Sequence, residues 1–133
     1  MAQHADSEQL EDANHPIPRL DTYDTLVQTE RGAYLGIVIA APLRDDERSR
    51  VRLRRKFEGA FGYFRSADYL ARCGTPKPEH CRLYVNIHSG SDPEMLRLVE
   101  HYCAVIAAGG VTPVVTFVAS SEGVPANNRW SGP

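Results

Sequence analysis

The chain has 133 residues, 42% of them hydrophobic and 24% charged, with a formal net charge of −2. That is enough for one domain with one core, and too little basic excess for a dedicated nucleic-acid binder. No apolar run approaches the roughly 20 residues that span a bilayer. The acidic, polar first 18 residues carry no signal-peptide core, so a cytoplasmic address is expected.

Residues 1–19 have few large apolar side chains and end in Pro16 and Pro18. They are expected to form a disordered acidic tail, because they bury too little surface to offset the entropy of ordering. The domain is expected over residues 20–119, followed by a flexible tail, 120–133, in which Trp130 is the single large apolar group. Residues 22–29 read as a short strand. Glu30-Arg31-Gly32 is a hairpin turn with a glycine free to take positive φ. Residues 33–40 follow as a central strand, apolar on both faces, ended by Pro42.

A long helix starts at Asp45 or Asp46, with Leu53, Phe57, Ala60, Phe61 and Phe64 on one face and acids in the first turn. Ser66-Ala67-Asp68 begins a second short turn, and Gly74, Pro76 and Pro78 break the chain. Residues 82–88 are the next strand. Ser91-Asp92-Pro93-Glu94 has the spacing of a capping box. A helix stripe of Met95, Leu98, Val99, Tyr102, Cys103 and Ile106 runs to the C-cap signal Gly109-Gly110. Residues 111–119 form the last strand. The order β-β-α-β-α-β predicts an α+β fold: a two-layer sandwich, with a mixed four-stranded sheet and two helices on one face. The other face is left open for a partner.

Charge is unevenly spread. Residues 1–30 hold seven acids against one base, and residues 44–56 hold seven of the fifteen basic residues. On the long helix Arg48, Arg52 and Arg55 share a stripe continued by Gly59, and Lys56 lies beside it. Arginine forks suit phosphates and carboxylates, so this stripe is a candidate anion- or partner-binding face; the same pattern also describes a solvated helix side. His88, Ser89 and Ser91 lie where a strand ends and a helix begins, the usual ligand position in parallel sheets. Helix capping accounts equally for Ser91 and Glu94. A hydrolase triad there lacks an acid partner.

Cys73, Cys81 and Cys103 are an odd count that suits reduced thiols. Cys73, His80 and Cys81 bracket a loop, but the C-x7-C spacing is not a familiar metal pair, and no metal or cofactor is expected. Asp21 and Asp24 read as solvated surface acids.

The residues Leu35-Gly36-Ile37, Asp45-Asp46, Leu53, Lys56, Phe57, Phe61, Tyr63, Phe64 and Ser66 resemble a motif of a family of small uncharacterised bacterial α/β proteins, over about residues 20–118. Pro42-Leu43-Arg44 stands where that family usually has a Trp before the acidic pair, and Ala67 where Gly is common. The resemblance implies the domain limits and carries no catalysis. Together these features predict a small cytoplasmic bacterial interaction or regulatory module, of immunity type for example, that binds a protein or itself as a homodimer. Tyr34, Tyr63 and Tyr84 would lie on its exposed surface. The alternatives are a nucleic-acid or nucleotide binder acting through the basic helix, and a small hydrolase or transferase near His88–Ser91 that recruits Cys81.

Overall fold

The computed structural model of the chain describes residues 10–20 and 22–119. Seven elements follow in the order β1 (Thr25–Gln28), β2 (Ala33–Ile39), α1 (Glu47–Arg65), α2 (Ala67–Cys73), β3 (Cys81–His88), α3 (Pro93–Ala108) and β4 (Thr112–Val118). The strands lie in sequence order in one sheet. β1 pairs antiparallel with β2, and β3 and β4 continue parallel to it. This is the mixed four-stranded α+β sandwich the sequence predicts, with a third helix where only a short turn was read. Trp130 lies outside the described residues.

The alternation of β2 and β3 builds the sandwich. Ala33, Leu35, Ile37 and Ile39, with Cys81, Leu83, Val85 and Ile87 beside them, are all buried and point to one face. Leu53, Phe57, Ala60 and Phe64 of α1 and Met95, Val99, Cys103 and Ile106 of α3 cover that face. Each fully buried Leu or Phe contributes about 1.5–3 kcal/mol. Asp46 caps α1, its carboxylate accepting from the Ser49 amide at 2.7 Å. Ser66 caps α2 in the same way, through the Tyr69 amide at 3.1 Å.

Three expectations are corrected. Residues 10–19 of the expected tail are packed on the domain: Ile17 is 1% exposed beside the buried Leu20, and Glu11 bridges back to Arg19. These two apolar side chains suffice because they pack on an existing helix rather than having to form a core of their own. The capping box does not form. Asp92 is the N-cap of α3 and makes no side-chain cap bond, while Ser91 is buried with its hydroxyl turned to Leu43, and Glu94 pairs with Arg97. Gly32 has no positive φ. A Cβ there would overlap the carbonyl oxygen of His80, so the glycine is required by close approach of the hairpin turn to the loop just before β3.

Among the described residues, no helix is long and apolar enough to cross a membrane.

Candidate functional site

The basic stripe of α1 is largely covered. Arg52 is 0% exposed and Lys56 is 3% exposed. Arg52 Nε donates to the Ile17 carbonyl at 2.9 Å, and Lys56 Nζ donates to the carbonyls of Arg19 and Thr22 at 2.8 and 2.6 Å. Asp24 lies 3.8 Å from the same ammonium and also accepts from the Val38 amide. Arg48 pairs with Asp12 at 2.6 Å, and that hydrogen-bonded guanidinium holds the Asp12 carboxyl below its ordinary range. His15 hydrogen-bonds Ser49 at 3.1 Å, and burial, with Arg52 and Arg48 nearby, pushes its pKa down. Gly59, the expected bare patch, is crossed by Tyr23, whose hydroxyl donates to the Gly59 carbonyl at 3.2 Å. Arg48, Arg52 and Lys56 therefore hold residues 12–20 and Thr22 in place. The structure does not present Arg48, Arg52, Arg55 and Lys56 together as an open anion face. Asp21 lies outside the described residues.

The carboxyl end of the parallel strands is stitched shut. Ser91 Oγ accepts from the Leu43 amide at 2.9 Å, the Asp92 amide donates to the Leu43 carbonyl at 2.9 Å, and Asp92 Oδ2 accepts from the Asp45 amide at 2.7 Å. The Ser89 amide donates to the Val118 carbonyl at 2.7 Å, and His88 Nδ1 accepts from the Gly90 amide at 2.9 Å. The Ser91 hydroxyl and the Ser89 amide thus tie this turn to the segments carrying Leu43 and Val118, while His88 closes the turn on itself. Cys81 cannot join them, since it starts the strand that His88 ends. Seven residues of strand separate the two by about 23 Å. The Cys81 thiol is buried against the Tyr69 hydroxyl at 2.8 Å, and burial together with that bond pushes the Tyr69 pKa well up. Among the described residues no three His, Cys, Asp or Glu side chains converge to hold a metal, and Cys73, Cys81 and Cys103 are free thiols.

The face of the sheet opposite the helices carries Thr25 and Val27, Tyr34, Gly36 and Val38, Arg82, Tyr84, Asn86 and His88, and Thr112, Val114, Thr116 and Val118, by register. None of these is an acid, in a chain with 17. Tyr34 and Tyr84 meet edge to face at 6.3 Å, and Arg82 lies 5.9 Å over the Tyr34 ring. Tyr63 is not on this surface. It belongs to the helix layer, in edge contacts with Tyr23, Phe64 and Tyr69.

Among the described residues, two of the cavities differ in character. A groove of about 520 Å³ between α1 and α3 has Phe57, Phe61, Tyr102 and Val105 along it. Its rim arginines are engaged: Arg54 faces Glu58 at 3.6 Å, and Arg65 stacks 5.4 Å over Phe61. The second, about 330 Å³, lies at the amino end of β2 and β3 and is lined by Glu30, Arg31, Arg72, Cys73, Lys77 and His80. Cys73 and His80 flank one loop in the sequence, but Glu30, Arg31, Arg72 and Lys77 were not expected beside them; the members of the cluster come from the β1–β2 turn, the end of α2 and the following loop. The topology is the signal that would have found it, because both connections fall at the same end of β2 and β3.

The chain matches no family model, no curated protein and no solved structure.

Proposed function

We propose that the chain is a non-catalytic interaction module whose partner is a second copy of itself, paired through β4. The observation that carries this reading is the composition of an edge strand. β4 is seven residues long, uncharged, and bordered on one side only among the described residues. Natural edge strands are usually shortened, charged or bulged to prevent such pairing. β1, the opposite edge, is shortened to four residues. β4 has no such protection beyond Pro113, and its Phe117 is 54% exposed. Its uncharged row meets its own copy without repulsion, so an antiparallel two-fold contact would join two sheets into one of eight strands. A cytoplasmic address and kinship with the small bacterial proteins described above belong to the same proposal.

The nucleic-acid reading through the basic helix loses its face to residues 12–20 and Thr22, and the hydrolase reading loses the convergence of Cys81 with His88. Sedimentation equilibrium tests the self-association. The expected mass is twice that of the chain at micromolar concentration, and Thr116→Lys, which sets like charges across the contact, should return the chain to monomer. A parent chain monomeric at every concentration would contradict the proposal.

A further inference from the structure

We propose that the hollow at the amino end of β2 and β3 binds a small phosphate-bearing ligand. Arg31, Arg72, Lys77 and His80 converge there against one lining acid, Glu30. Arg19, Arg48, Arg50 and Arg97 each have a carboxylate partner. Among the described residues, no carboxylate lies within ion-pair distance of Arg31, Arg72, Lys77 or His80. Concentrated positive charge left without a carboxylate is repulsive, and an anion relieves that repulsion. The Arg31 fork and the Lys77 ammonium, beside an Arg72 guanidinium already anchored to Thr29 and Tyr63 that adds its charge, match the several oxygens of a phosphate better than a single carboxylate does.

The walls are fixed before any ligand arrives. Arg72 donates to the Thr29 carbonyl at 2.7 Å and to the Tyr63 hydroxyl at 3.2 Å, and it lies 5.5 Å over the Tyr69 ring. The loop bearing Lys77 and His80 is clamped on both sides. His80 abuts Gly32 and accepts from the Ala33 amide at 3.2 Å, and the Thr112 hydroxyl donates to the Pro78 carbonyl at 2.9 Å. Gly110, at φ +96°, packs so closely on Pro76 that a Cβ would sit 2.5 Å from its carbonyl oxygen. The loop backbone and Arg72 need little ordering on binding, which leaves the Arg31 and Lys77 side chains to be fixed by the ligand. A second hollow of about 290 Å³ shares Glu30, Arg31 and His80 and extends to the Tyr34 ring, leaving room for a compact organic group beside the phosphate.

Cys73 supplies a reporter, because it is half-buried in the wall of the hollow while Cys81 and Cys103 are buried. Pyrophosphate titrated into the full chain, followed by amide chemical shifts, should show one saturable site with shifts confined to residues 29–34 and 72–81. It should also slow iodoacetamide alkylation of Cys73. Lys77→Gln and Arg31→Gln should each weaken binding about ten-fold, as expected for loss of a charge-assisted contact. Arg50→Gln on α1 should leave binding unchanged, with circular dichroism confirming that all three variants fold. Absence of saturation, shifts spread over α1, or equal binding by Lys77→Gln would overturn the proposal. So would an oligothymidylate that binds more tightly with length while pyrophosphate does not, since it would assign the charge to a polynucleotide. Because β4 takes no part in the lining, the Thr116→Lys chain should bind pyrophosphate like the parent, which separates this outcome from that of the self-association test.

Discussion

The two ends of the parallel strands have been given opposite treatments. At the carboxyl end, where open α/β sheets usually hold ligands, Ser91, Asp92, Leu43 and Asp45 satisfy one another across two loops. At the amino end, four basic side chains surround a space and meet one acid. The same topology therefore yields a sealed end and an open one, and the difference lies in which loop residues carry partners for their own polar groups. An end whose amides and carboxylates are mutually bonded has little left to offer a ligand.

The largest expected effect comes from filling the contact that shapes the open end. Gly32→Ala drives a Cβ into the His80 carbonyl. Such overpacking should lower the unfolding free energy by about 1–3 kcal/mol, read as a shift in urea midpoint, and should abolish pyrophosphate binding as the hollow deforms. Unchanged stability would show that the turn and the His80 loop approach less closely.

A smaller effect separates the core from both ends. Burial, with Glu100 nearby, pushes the Cys103 thiol up to about 11 from an ordinary 9.0. The folded chain then keeps a proton that the unfolded chain releases. The stability this gives is complete below pH 9.0 and is lost as pH rises towards 11. Tyr69, Tyr23 and Tyr102 are raised by burial in the same sense. Urea midpoints should fall over this range, and Cys103→Ala should remove a part on the order of 1–2 kcal/mol. An alkaline profile identical in Cys103→Ala would place the loss elsewhere.

Much of the fold could be read directly from the chain. Period-two alternation in Leu35-Gly36-Ile37-Val38-Ile39 and in Leu83–Ile87, with the helical spacing of Leu53, Phe57 and Phe64, marks the strands and the helix whose apolar faces meet in the sandwich. The site was less legible, for a physical reason at each place. Arg48, Arg52 and Lys56 look like a solvent-facing stripe until Ile17 and Leu20 lie over it, and local composition cannot show that two apolar residues will dock on a helix far along the chain. Ser91 and Glu94 have capping spacing, yet a competing amide, that of Leu43, lies 48 positions away and takes the hydroxyl. Arg31, Arg72, Lys77 and His80 form no local pattern, and only strand order brings them together.

Amide hydrogen exchange compares the two ends most directly. The account predicts that the loop amides of Leu43, Asp45 and Asp92 exchange slowly, that Ser91→Ala frees the Leu43 amide in particular, and that pyrophosphate slows exchange only around residues 29–34 and 72–81. Fast exchange at Leu43 and Asp45 in the parent chain, or pyrophosphate protection appearing at the carboxyl end, would contradict it.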